Sequence, residues 1–144
     1  MTYPPLFPAF KPLELEDRDF IHPRVLAYQP TTSELTFTNL FIWRKTNHLS
    51  WCLAGDCLVF LSDSPQDPWF FPPVGPSSRA DLCRELLTWL EGVRGASDPH
   101  LERVDSRLRE EAAQTGGFSI APAREHFDYV YATADLISLS EGKY

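Results

Sequence analysis

The chain has 144 residues, 43% of them hydrophobic and 13% aromatic, which is enough apolar material for one core and too much for intrinsic disorder. Thirteen basic residues oppose 20 acidic ones for a formal net charge of −7, so no general attraction to phosphate backbones exists and binding of DNA or RNA by this chain alone is not expected. Prolines and charges interrupt every apolar stretch before the about 18 residues a membrane span needs, and residues 1–15 lack the basic start and unbroken apolar run of a secretory signal, so a soluble cytoplasmic protein is expected.

Residues 1–9 read as a loose N-terminus and 10–144 as a single domain. Phe10 to Leu15 has strand character and leads into Glu16, Asp17 and Asp19, acidic residues suited to a helix N-terminus. Pro23 is expected to break or restart that helix. Thr32, Ser33 and Glu34 form a cap zone, and Phe37, Leu40, Phe41 and Arg44 recur at helical spacing through Thr36 to Arg44. Two apolar runs, Leu49 to Leu53 and Cys57 to Leu61, flank Ala54, Gly55 and Asp56, which predicts a β-hairpin. Pro68 to Phe71 is a third antiparallel strand, stopped by Pro72 and Pro73.

The clearest helix runs from Arg79 to Val93, with Leu82, Cys83, Leu86, Leu87, Leu90 and Val93 on one face. Ser78 and Asp81 resemble a capping box at its start, and Gly92 and Gly95 end it. His100 to Val104 then reads as a strand feeding a helix over Ser106 to Gln114, closed by Gly116 and Gly117; one helix from Pro99 onward is the alternative. Phe118 to Ile120 and Phe127 to Tyr131 read as strands, the second alternating Phe127, Tyr129 and Tyr131 with Asp128 and Val130. Thr133 is expected to cap a short closing helix, Thr133 to Leu139. The order predicts an α+β fold, a mostly antiparallel sheet flanked by helices.

Most catalytic templates are missing: no phosphate-binding Gly-x-x-x-x-Gly-Lys loop, no Gly-x-Gly-x-x-Gly, no His-Glu-x-x-His and no Gly-x-Ser-x-Gly. Cys52, Cys57 and Cys83 are an odd set without a Cys-x-x-Cys pair, so buried thiols are the simpler reading; a zinc site with one histidine is the alternative. Glu125, His126 and Asp128 place a base beside two carboxylates, as general acid and base chemistry requires. In a strand His126 and Asp128 share a face, which makes them the candidate pair, set against an ordinary surface hydrogen bond. The aromatic stretch Trp69 to Pro76 is core or the wall of a ligand site. Phe37, Phe41 and Trp43 are packing residues rather than a platform for bases, since Arg44 and Lys45 are the only clustered cations beside them.

Several segments occur in a familiar order: Phe10-Lys11-Pro12-Leu13, Glu34-Leu35-Thr36-Phe37-Thr38-Asn39-Leu40-Phe41-Ile42-Trp43-Arg44, Phe70-Phe71-Pro72-Pro73-Val74-Gly75, and Phe127-Asp128-Tyr129-Val130-Tyr131 followed by Asp135-Leu136-Ile137. Together they resemble the start of the family that includes the C-terminal catalytic domain of phosphatidylglycerol lysyltransferases, in its less characterised bacterial cytosolic branch. The resemblance implies a GNAT-like acyltransferase fold, the N-terminal one of a tandem pair, and a role in aminoacyl-tRNA-dependent or acyl transfer. It also implies a second GNAT-like half after residue 144 that carries most of the substrate site and any contact with aminoacyl-tRNA. No catalytic, cofactor-binding or metal-binding residue is carried over. No Arg/Gln-x-x-Gly-x-Gly/Ala loop for acetyl-CoA is present, and no cofactor is expected. A half that docks on a twin should expose an apolar patch, so partnership with the second half or self-association is expected.

Overall fold

The computed structural model describes residues 4–76 and 78–138; the expected helix end at Leu139 and the segment up to Tyr144 lie outside them. Four strands, β1 (Lys11–Pro12), β2 (Leu49–Ala54), β3 (Cys57–Ser62) and β4 (Trp69–Phe70), form one antiparallel sheet in the order β1-β2-β3-β4. The fold is α+β, as its pattern predicts.

The β2–β3 hairpin sets the register. Ala54 pairs with Cys57, so Ala54 belongs to the strand and the turn is Gly55-Asp56 alone. Gly55 has φ +58, the left-handed conformation that tight hairpins need and that glycine adopts without a Cβ clash. Cys52 lies opposite Val59 rather than opposite Cys57. Every residue of β3 is buried, because this strand has a layer on each face. On one face Trp51, Leu58 and Phe60 pack with Ile21 and Val25 of α1 (Arg18–Tyr28) and with Phe37 and Leu40 of α2 (Phe37–Trp43). On the other face Cys52, Val59, Leu61 and Phe70 pack with Leu86 and Leu90 of α3 (Arg79–Arg94). The unbroken apolar run Cys57 to Leu61 is thus the signature of a two-sided central strand.

Irregular segments extend the pairing at two places, residues 5–7 beside Leu53 of β2 and residues 100–102 beside β4. Residues 5–7 are tied to β2: the Phe7 amide donates to Leu53 O (2.7 Å) and the Leu53 amide to Pro5 O (2.8 Å). Phe7 and Phe10 then pack on Trp89 of α3, with ring centroids 6.0 and 5.3 Å away. At the far edge the Phe70 amide donates to His100 O (3.2 Å) and the Glu102 amide to Phe70 O (3.0 Å). This single bridge at Leu101 replaces the strand expected over His100 to Val104, because Arg103 adopts φ +60 and turns the chain away.

Helix boundaries differ from expectation where side chains override local signals. Pro23 lies inside α1 without breaking it: the hydrogen bond it forfeits is the one to the carbonyl of Asp19, whose residue faces solvent. Thr36, just past the expected cap zone, is the residue that caps α2, its hydroxyl accepting from the Asn39 amide (3.2 Å). Gly92 sits within α3, Gly95 ends it with φ +66, and Val93 is exposed, off the buried face. Ser78 has φ +73 and makes no capping bond. The helix expected after it is α4 (Ser106–Thr115), separate from Pro99 and capped by Asp105, whose Oδ1 accepts from the Leu108 amide (2.9 Å).

After α4 the chain forms an arm, residues 116–138, whose strands do not form. Phe118 to Ile120 and Phe127 to Tyr131 have no ladder: among the described residues no backbone hydrogen bond joins either segment to the sheet. Arg124–His126 is a 3-10 turn, and α5 (Thr133–Ile137) begins after Ala132 without a side-chain cap from Thr133.

One buried acid ties β1, α1 and β2 together. Asp17 accepts from the Trp51 indole (2.9 Å), the Lys11 ammonium (2.7 Å) and the Glu14 amide (2.9 Å). The Asp17 hydrogen bond and charge outweigh partial burial and hold the Lys11 pKa above its ordinary value. Asp17→Ala would strand the buried indole N–H and a half-buried ammonium, and should cost about 3 kcal/mol in urea unfolding; a loss within experimental error would show that the indole finds another partner.

His100 supplies a pH dependence. Its Nδ1 lies 2.7 Å from Asp98 O and its Nε2 lies 3.5 Å from Glu102. Burial opposes the charged ring, but the Asp98 carbonyl, Asp67 and Glu102 together raise its pKa above 6.5. The protonated ring therefore stabilises the fold fully below the unfolded value, and this contribution is lost as pH rises through the folded pKa. Melting temperature should fall from about pH 6 to about pH 8 more steeply in the parent chain than in His100→Gln; identical slopes would remove His100 from the account.

Candidate functional site

A cleft of about 480 Å³ opens between the C-terminal turn of α1, the β2–β3 turn, the loop Val74–Pro76 and the faces of α3 and α4. Arg24, Ala27 and Tyr28 line one wall, three to four residues apart on one helix face. Asp56, Val74, Gly75 and Pro76 line the other. Gly75 is required there: a Cβ would lie 2.8 Å from Cys57 Sγ and 3.0 Å from the Asp56 carbonyl and Cys57 Cα.

The end of the cleft is built on Arg79, the first residue of α3, which is only 2% exposed. Its Nε and Nη2 both donate to Glu111 Oε1 (3.2 and 2.7 Å), and its Nη1 donates to Pro73 O (3.1 Å) and to the Tyr28 hydroxyl. Glu111 Oε2 accepts from the Arg79 backbone amide (3.2 Å), so this carboxylate caps α3 from another helix, in the place expected of Ser78. Tyr28 passes its own proton toward Asp105 Oδ2 (3.2 Å). Arg107 stacks on the Tyr28 ring, 4.1 Å from its centroid, and donates to Asp105 Oδ2 (3.3 Å) and to the carbonyls of Tyr28 and Gln29 (3.1 and 3.0 Å).

The charges in this network hold one another in place. Burial works against the Arg79 cation, but the Glu111 hydrogen bonds and Tyr28 leave its pKa above the ordinary value. Burial pushes the Tyr28 phenol up, with Arg79 and Arg107 pulling the other way and Asp105 adding to the rise. Arg79, Tyr28 and Asp105 are thus engaged with one another and with Glu111, and the cleft presents Arg24 and Asp56 at its rim.

The residues marked by sequence lie elsewhere. His126 sits in the 3-10 turn of the arm, while Asp128 accepts from the Ser33 amide (2.7 Å) and hydroxyl (3.1 Å). Ser33 O in turn accepts from Asn39 Nδ2 (3.0 Å), so the Thr36–Arg44 and Phe127–Tyr131 segments meet at Ser33. Glu125 is exposed beside His126, and the two share no contact with the cleft. Cys52, Cys57 and Cys83 are buried free thiols; burial pushes Cys52 and Cys83 up to about 12 and also raises Cys57. Among the described residues no group of three His, Cys, Asp or Glu side chains converges to hold a metal, which leaves the zinc alternative without ligand geometry. Trp69, Phe70 and Phe71 are core, and only Val74 to Pro76 of that stretch reach the cleft. Phe37 is buried and stacks on Phe41, whose other partner is the Arg44 guanidinium, 3.6 Å from the ring centroid; Trp43 is exposed.

The network itself was not visible in the sequence. Arg107 and Glu111, four apart on one face of a predicted helix, are the local signal that could have flagged it. Their partners, Tyr28 and Arg79, are set by tertiary packing.

The layered α+β fold and the Arg79 cleft define a class of domain, and comparison with known proteins places it. The chain belongs to the family described as phosphatidylglycerol lysyltransferase, C-terminal, which it matches over residues 27–144. It is also similar to the crystal structure of a conserved protein of unknown function from Bacteroides thetaiotaomicron VPI-5482, with 27% identity and a TM-score of 0.52. That match covers 57% of this chain and 28% of the other, so the chain spans well under two thirds of the protein it resembles. No curated protein matches the chain. Among the described residues no helix is long and apolar enough to cross a membrane.

Removing one member of the Arg79–Glu111 pair tests the network. Glu111→Ala leaves a buried guanidinium without its anion and uncaps α3, which should cost about 3 kcal/mol. Replacing both partners with apolar residues, Arg79→Met with Glu111→Leu, should recover most of that loss. Urea unfolding of the three variants measures it, and a double variant no better than the single one would count against the pair as the source of the penalty.

Proposed function

We propose that this chain is the supporting, N-terminal half of a GNAT-like aminoacyl or acyl transferase of the phosphatidylglycerol lysyltransferase kind. In this reading it shapes one wall of the substrate cleft and carries out no chemistry alone. The observation that carries it is the committed state of the cleft's polar groups: the Tyr28 hydroxyl lies between Arg79 and Asp105, and Glu111 is held by Arg79. A nucleophile needs a free neighbouring base or a lowered pKa. Here Tyr28 and all three thiols are shifted upward, toward the unreactive protonated form.

Membership in the family over residues 27–144 supports the reading from the other side. The donor on this reading is an aminoacyl-tRNA and the acceptor a phosphatidylglycerol head group. A chain of net charge −7 leaves the phosphate contacts of a tRNA to a second, basic half. A stand-alone, non-catalytic interaction module is the competing reading, and its mark would be a binding partner that is not a transferase half.

The test supplies purified chain with radiolabelled lysyl-tRNA and phosphatidylglycerol vesicles and follows label in the lipid fraction. No transfer above the protein-free rate is expected from the chain alone, and transfer is expected when a second half from a two-half relative is added. Turnover by the chain alone would overturn the division of labour, and no transfer with a second half that binds it would favour the interaction module.

A further inference from the structure

Five charged side chains line the cleft, and three of them, Arg79, Arg107 and Glu111, are engaged in the polar network. Arg24 and Asp56 are not. Among the described residues neither joins an ion pair, with the other or with any third group. Arg24 stands on the α1 wall and Asp56 on the opposite wall at the β2–β3 turn, so a cation and an anion share the cleft without meeting. Both are held in position. The Arg24 guanidinium lies over the Phe20 ring, 3.6 Å from its centroid, and its Nη1 donates to Phe20 O (2.8 Å). Its Nε and Nη2 make no hydrogen bond among the described residues, which leaves one edge of the fork open to two oxygens of a carboxylate or phosphate. Asp56 belongs to the tight Gly55-Asp56 turn, braced by the close approach of Gly75 and by the paired backbone bonds of Leu58 and Val74 (2.8 and 2.9 Å). The same two walls offer Ala27, Val74 and Pro76, apolar surface for a short hydrocarbon.

We propose that this cleft binds a small zwitterion, a molecule whose carboxylate or phosphate and primary ammonium are joined by a short hydrocarbon chain, with the anion on Arg24 and the ammonium on Asp56. Selectivity follows from the two unpaired charges. A simple anion drawn to Arg24 also meets the field of Asp56, and a simple cation drawn to Asp56 meets that of Arg24, whereas a zwitterion of this polarity gains from both and opposes neither. The cleft volume of about 480 Å³ lies within the range of small-molecule sites. Because Phe20 fastens Arg24 before any ligand arrives, less side-chain freedom is lost on binding. Such binding needs no reactive group and no second half, so it stands apart from the transferase reading, and a failed transfer assay leaves it untouched.

The test is an amide NMR titration of the full chain with two zwitterions, ε-aminocaproate and glycerophosphoethanolamine. Caproate and hexylamine are the single-charge controls for the first, dimethyl phosphate and ethanolamine for the second. At least one zwitterion should bind at least about tenfold more tightly than both of its controls, shifting the amides of Ala27 and Gly75. Arg24→Gln and Asp56→Asn should each remove that advantage while the spectra retain the parent's fold, since both side chains are exposed. Tighter binding of ε-aminocaproate identifies the anion as a carboxylate, and tighter binding of glycerophosphoethanolamine identifies it as the phosphate of a head group. Zwitterions that bind no better than their controls overturn the proposal. So does an advantage that persists in either variant.

Discussion

The helical layers of this protein converge on the Arg79 guanidinium. It is one of the few buried charges in the chain, and α4 exists in its observed position because Glu111 must meet it. One turn earlier on the same helix, Arg107 ties down the C-terminal carbonyls of α1. A helix leaves unpaired N–H groups at its start and unpaired carbonyls at its end. Here α4 satisfies the start of α3 and the end of α1 with two side chains four residues apart, and Asp105, its own cap, accepts the Tyr28 proton. Three helices on different parts of the chain are thereby fixed by one polar cluster rather than by apolar contact alone.

The same cluster explains why the inner wall of the cleft is held firmly in place. Buried ions are stable when every hydrogen-bonding position is filled. Filling them ties Arg79, Glu111, Tyr28 and Asp105 to one another, so the polar groups of this wall are also what fastens it. Glu111 cannot both cap α3, neutralise Arg79 and act as a base, and Tyr28 cannot both bridge Arg79 to Asp105 and attack a substrate.

Much of this organisation was legible in the residue pattern, and the exceptions share a physical origin. The hairpin, with its second strand over Cys57 to Leu61, and the helix from Arg79 were readable because period and turn residues act locally. Pro23 misled because a helix tolerates a missing N–H where the orphan carbonyl faces solvent. Ser78 misled because its backbone turned left-handed, and the cap came from Glu111, far along the chain. The acidic run at Glu16 and Asp17 looked like a solvated helix start, yet Asp17 is buried against Trp51. The family resemblance was readable through Thr36 to Arg44 and Phe127 to Tyr131, two segments the fold joins at Ser33.

The arm shows most clearly what alternation can and cannot say. A period of two reports which side chains would share a face, but at Phe127 to Tyr131 it does not sort them: Asp128 is fixed by Ser33 while Val130, which would share its face, is 78% exposed, close to Tyr129 at 88%. It does not report whether a neighbouring strand exists. Strand formation needs backbone partners, and here residues 5–7 and Leu101, neither with a strong strand pattern, pair with β2 and β4 while the arm does not. The strongest strand pattern in the second half of the chain is therefore left extended, aromatic and unpaired, held at the surface by a single carboxylate on Ser33.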